Sequence, residues 1–142
     1  MSRIHPYEPG TRKLLYVAGP LRSDKGDDGM FRNTLAARAV MLELMRMRFS
    51  VICPHTNSFL CGGALLDDYD WLDADREMIA RCDGVVFIAG WQQSEGARCE
   101  REFAEMNGIP CFDWTSPAHR EFLEKVGRDH RTFQELMEDN HA

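Results

Sequence analysis

The sequence predicts a three-layer α/β fold, a parallel sheet of four to five strands with helices on both faces. Three observations point there. Apolar runs with no polar break, such as Val85-Val86-Phe87-Ile88, suit strands buried on both faces of a parallel sheet. The segments between such runs carry apolar residues at helical spacing, as Ala97, Phe103 and Ala104 do. Strand and helix alternate along the chain, which is the pattern of crossover units rather than of hairpins.

The elements follow in order. Residues 1–12, with two prolines and a glycine, read as an irregular lead-in. Lys13–Ala18, KLLYVA, is the first strand, ended by Gly19-Pro20. Leu21–Met30 reads as a polar loop holding Ser23, Gly26, Gly29 and three aspartates. A long helix is expected from Asn33 to Arg48. Its apolar residues Leu35, Ala36, Ala39, Val40, Leu42, Leu44, Met45 and Met47 cover more than one face, which suggests packing on the sheet plus a second contact such as another subunit. Ser50–Cys53 is a second strand stopped by Pro54, and HTNSFLCGGALL reads as a loop with a Gly62-Gly63 hinge. Asp67–Cys82 is a helix with the stripe Trp71, Leu72, Met78, Ile79 and Cys82. Gly84–Ala89 is the third strand. A polar stretch, Gly90 to Gly96, separates it from the next helix, where Ser94 can cap the free N–H groups. Ile109–Phe112 is the fourth strand, after the turn Asn107-Gly108, and two short helices, Ala118–Val126 and Thr132–Glu138, finish the chain.

At 142 residues the chain fits a single domain, 1–142, with a sizeable core. Its net charge of −6 argues against coating a nucleic-acid polymer, yet leaves room for a small anion held by local donors. Cys53, Cys61, Cys82, Cys99 and Cys111 form no CxxC pair, so reduced thiols in a cytoplasmic protein are expected rather than a disulfide framework or a zinc site. His55 lies between Cys53 and Cys61, but that spacing fits no standard metal site. No apolar run approaches the roughly 18 residues of a membrane span, and the N-terminus lacks the apolar core of a signal peptide.

Two acids fall on helix faces that should point inward. Glu100 lies three residues after Ala97 and four before Ala104, while Arg98, Arg101, Glu102 and Glu105 occupy the outer face. Asp75 lies four after Trp71 and three before Met78. Burying a charge is expensive, so each is either a boundary residue turned toward a partner or part of a site. Two inward acids on different helices suit nucleophile and general-acid work, and carboxylate pairs of this kind cleave glycosidic bonds. Tyr16 could orient a nucleophilic carboxylate, or serve only as a core aromatic. Gly19 would let backbone approach a ligand, Arg22 follows three residues later, and Ser94 adds a hydroxyl at a helix start. Ser94 and Glu100 are six residues apart, about 9 Å along a helix, a span comparable to that between a nucleotide's 5′-phosphate and its anomeric carbon. A plain cap at Ser94 and a surface charge at Arg22 would fit the same residues.

Three pieces together resemble the nucleoside 2-deoxyribosyltransferase-like superfamily, including its nucleotide N-glycosidase relatives: YVAGP at Tyr16–Pro20, Asp75 eight residues before Asp83 in DREMIARCD, and SEGARCE at Ser94–Glu100. They span roughly residues 13–112. GWQQSEGARCE also resembles a phage-associated branch of that superfamily. The resemblance implies a flavodoxin-like or Rossmann-like domain, with Glu100 as a nucleophile that forms a glycosyl-enzyme ester. It implies Asp75 as the acid near sugar and base, and Tyr16 as the residue that holds the nucleophile. Ser94, where the transferases usually carry Asp, and the turn Gly19, Pro20, Leu21, Arg22, which matches a GSIR-like turn, point to a nucleoside 5′-monophosphate; Gly96 belongs to the same motif. Arg98 replaces an aromatic found in some transferases. The expectation is an N-glycosidase or deoxyribosyltransferase that needs no metal or cofactor and works as a homodimer or higher oligomer. Its rivals are a transferase for unphosphorylated nucleosides and a non-catalytic nucleotide sensor on the same fold.

Overall fold

The computed structural model describes residues 5–58 and 67–140. Its sheet is built from β1 (Leu14–Ala18), β2 (Ser50–Ile52), β3 (Gly84–Phe87) and β4 (Cys111–Asp113). All pairings are parallel and the order is β2-β1-β3-β4. The helices are α1 (Gly26–Arg46), α2 (Pro54–Ser58), α3 (Asp68–Ala80), α4 (Glu95–Met106), α5 (Pro117–Val126) and α6 (Phe133–Asn140), with one 3-10 turn at Trp91–Gln93. The result is the three-layer, flavodoxin-like arrangement that the strand–helix alternation predicts.

The strands bury alternate side chains on opposite faces. Leu15, Val17, Val86 and Phe112 pack in one cluster with Ala37, Val40 and Leu44 of α1, Leu123 and Val126 of α5, and Phe133 and Leu136 of α6. Tyr16, Ala18, Val85 and Phe87 pack on the other side with Ile79 of α3 and Ala104 of α4. α5 and α6 thus complete one outer layer. Phe133 meets Phe112 at 5.1 Å and Phe49 at 5.9 Å between ring centroids, and the Lys13 ammonium lies over its ring while donating to the Asp129 carbonyl.

Several boundaries depart from expectation. The segment Leu21–Met30 is not all loop, because α1 already begins at Gly26. Ser23 organises that start: its Oγ accepts from Lys25 N at 3.1 Å and its carbonyl from Gly26 N at 3.2 Å. Local backbone bonding of this kind leaves no trace in apolar periodicity. Pro54–Ser58 is a short helix rather than loop. Residues 59–66, with Cys61 and the Gly62-Gly63 hinge, lie outside the described residues. β4 begins two residues and ends one residue later than expected, because Val85 pairs with Cys111 and Phe87 with Asp113. No helix among the described residues is long and apolar enough to cross a membrane.

Candidate active site

Strand order reverses between β1 and β3. In open parallel sheets ligands bind in the crevice outside the carboxyl ends of strands at such a switch point. Two segments enter this crevice. The Gly19–Arg22 turn leaves β1, and the stretch 89–94 leaves β3 through Gly90, whose φ of 89° favours glycine. They touch each other, since a Cβ on Gly90 would lie 3.4 Å from Pro20 Cγ.

Helices deliver the acids. α4 starts at the crevice, and Ser94 caps it by accepting from Ala97 N at 3.2 Å. Glu100 then lies one turn before buried Ala104, on the packed face, and is only 7% exposed. α3 leads down into β3 and is capped by Asp67, whose carboxylate accepts from Asp70 N at 2.8 Å. Asp75 is one turn above buried Ile79. Tyr16, fully buried in the middle of β1, reaches between these helices, and both carboxylates act on its hydroxyl.

Tyr16 Oη and Glu100 Oε2 are buried without a hydrogen-bond partner, and neither Glu100 nor Asp75 forms an ion pair among the described residues. Interactions between the carboxylates and the hydroxyl are therefore felt across space, at longer range than a formed hydrogen bond. Burial, reinforced by the negative charge of Asp75, pushes the Glu100 carboxyl up to about 8, while Tyr16 and Arg76 pull it down. Burial raises Asp75 to about 6, opposed by Tyr16. Burial and the two carboxylates raise the Tyr16 phenol well above its ordinary value, so it stays a protonated donor. With both carboxyls raised, the pair titrates as a coupled unit and holds a proton around neutrality. One turn before Asp75, the indole N–H of Trp71 is also buried and unpartnered. Trp71 reads from sequence as plain apolar stripe; nothing in its spacing marks a donor.

The expected ligand-binding residues fare unevenly. Gly19 is explained by packing, because a Cβ there would come within 2.3 Å of Ile88 Cγ1. Pro20 offers its carbonyl to His55 Nε2 at 2.9 Å, and Leu21 its carbonyl to Asn33 Nδ2 at 3.1 Å. Arg22 is exposed at the rim. Gly96, in the first turn of α4, leaves the space beside Ser94 open: a Cβ would meet only Ser94 Oγ, at 4.0 Å. Ser94 spends its oxygen as a cap but keeps its hydroxyl proton to donate.

Arg101 departs from its expected place on the outer face. It is half-buried, with its guanidinium 4.8 Å from the Phe87 ring and 4.9 Å from the Trp91 ring, and it donates to Asp113 at 2.9 Å and Glu105 at 2.7 Å. Arg98 donates to the Gln92 carbonyl at 2.7 Å. Both arginines thus fasten the loop that presents Ser94, through contacts too distant in sequence to be read from spacing.

Among the described residues no group of three or more His, Cys, Asp or Glu side chains is arranged to hold a metal ion. An open groove of about 690 Å³ between α1 and α5, lined by Glu43, Arg46, Arg120, Glu124 and Arg128 among others, contains none of the candidate residues and carries both signs of charge.

Residues 13–113 match the family described as Domain of unknown function (DUF4406), and the chain belongs to that family. No curated protein and no solved structure matches it.

Proposed function

We propose that this member of the DUF4406 family is a cytoplasmic N-glycosidase, hydrolytic or base-transferring, acting on a nucleoside or deoxynucleoside 5′-monophosphate. The observation that carries the reading is the convergence of buried Glu100 and Tyr16 with half-buried Asp75, none in an ion pair among the described residues, on the switch-point side of the sheet. Desolvated carboxylates without a partner charge destabilise a fold, and strongly perturbed carboxyls cluster at functional sites.

Catalysis starts from the singly protonated pair with its proton on Asp75. The Glu100 carboxylate attacks C1′ and forms a C1′–O ester as the C1′–N bond breaks. The bonding electrons leave with the base, which takes its proton from Asp75. Ionised Asp75 then accepts a proton from water, or from an incoming base, as that nucleophile opens the ester and frees Glu100. Tyr16 steadies the nucleophile in its ionised form through its hydroxyl. Positive charge that develops at C1′ in the transition state favours the ionised form of Glu100 beside it.

A 5′-phosphate would sit between the start of α4 and the Gly19–Arg22 turn, held by Ser94, by open N–H groups beside Gly96 and by Arg22. The free thiols of Cys53, Cys82, Cys99 and Cys111 suit a reducing cytoplasm. A homodimer or higher oligomer belongs to the same reading. Leu35 and Met45 are 42% and 44% exposed on one side of α1 with half-buried Leu42 between them, an apolar stripe that a second copy would cover.

The phosphate is tested by comparing kcat/KM for each nucleoside with that for its 5′-monophosphate. Loss of charge-assisted bonds to phosphate predicts a preference for the monophosphate of roughly 10- to 100-fold. The preference should shrink in Arg22→Ala and in Ser94→Asp, the latter by like-charge repulsion. Equal constants would instead favour a transferase for unphosphorylated nucleosides.

A further inference from the structure

Among the described residues, His55 is a buried histidine that the chemistry above leaves unused. It is 3% exposed and lies on α2, just past the end of β2. Its Nε2 is 2.9 Å from the Pro20 carbonyl oxygen. A carbonyl only accepts, so the ring proton resides on Nε2. Nδ1 is left buried with no partner. Burial lowers the histidine's pKa, while its contacts with the Pro20 and Gly19 backbone raise it. A second ring proton on Nδ1 would have no acceptor, so the neutral Nε2–H form is the one that fits.

The turn that His55 grips has other contacts as well. Ile88 fills the space beside Gly19, Gly90 lies under the Pro20 ring, and Asn33 of α1 holds the Leu21 carbonyl. Loop backbone is ordinarily solvated and variable; here α1, α2 and the residues just after β3 fix Gly19, Pro20 and Leu21 at the mouth of the crevice.

We propose that His55 is a positioning residue: its Nε2–H holds the Pro20 carbonyl and thereby sets the Gly19–Arg22 turn as one wall of the 5′-phosphate site. This role rests on the function proposed above. Substitution by glutamine keeps a donor of similar reach, whereas methionine keeps the size and loses the donor. His55→Met should therefore bind ribose 5-phosphate and 2-deoxyribose 5-phosphate about tenfold more weakly than the parent, and His55→Gln within about twofold of it. Binding of the unphosphorylated sugars should be unchanged across the three proteins.

Isothermal titration calorimetry with these four probes reads the effect directly. Equal sugar-phosphate affinity in His55→Met, an equal loss in His55→Gln, or a parallel loss for the unphosphorylated sugars would overturn the positioning role and leave a merely structural histidine. If His55→Met does not fold, the nitrogen-15 shifts of the His55 ring in the parent protein decide the anchor: protonated Nε2 with bare Nδ1 is expected, and a proton on Nδ1 instead overturns it. A parent protein that binds neither sugar phosphate sinks the phosphate reading itself, a failure distinct from that of His55.

Discussion

Glu100 and Asp75 are carboxyls that the fold turns inward, and both are shifted upward by burial. A glutamate with Ala97 and Ala104 on its own helix face is buried by the fold itself, not by a partner charge, and its raised pKa is the physical consequence. The folded-state pKa stands above that of the unfolded chain, so the folded protein holds an extra proton between about 4.5 and about 8. Stability linked to this group is complete below about 4.5 and is lost as pH rises through about 8. Glu100→Gln cannot ionise and escapes that loss. It should be more stable than the parent by roughly 2–4 kcal/mol near pH 9 and about equal to it near pH 4, as read by urea unfolding at the two pH values. A variant destabilised alike at both would mean that Glu100 is a packed structural residue. Glu100, Asp75 and Tyr16 were legible in sequence because helix and strand phase alone turn them inward. His55 was not, because its partner, the Pro20 carbonyl, is a backbone atom 35 positions away.

Elements whose ends are set by apolar periodicity were legible in sequence, and those set by backbone hydrogen bonds were not. α3 and α4 fall close to where their stripes put them, with Asp67 and Ser94 as caps. The early start of α1 rests on Ser23, and the shift of β4 on its register with β3, neither of which leaves a hydrophobic pattern. The far end of α1 shows what a helix stop costs when glycine is missing. Arg48 N bonds to Met45 O and Phe49 N to Leu44 O, a Schellman closure that places Arg48 at φ 81°. A non-glycine residue there is strained. Arg48→Gly should stabilise the protein by about 1 kcal/mol, seen as a rise in Tm of roughly 2–4 °C. A lowered Tm would show that the arginine side chain contributes more than its backbone costs.

For the whole molecule, the sheet order β2-β1-β3-β4 does the arranging. It puts the turn after β1 and the loop after β3 side by side, and sends α3 and α4 to the face from which Tyr16 reaches them. The alternation of elements made the layers legible, but not this adjacency, which depends on which side of β1 each crossover takes. The apolar stripe Leu35, Leu42 and Met45 on α1 predicts that the protein is at least a dimer in solution. Light scattering at micromolar concentration checks this, and a monomer would leave the stripe without the proposed cover. In the proposed function, buried Glu100 and half-buried Asp75 break an N-glycosidic bond with Glu100 as nucleophile. The most direct test of this is chromatographic detection of free base after incubation with a panel of ribo- and deoxyribonucleoside 5′-monophosphates, for the parent and for Glu100→Gln. Base release from at least one monophosphate by the parent, falling by orders of magnitude in the folded variant, is the predicted result. No release from any member of the panel by the parent, or undiminished release by Glu100→Gln, would contradict it.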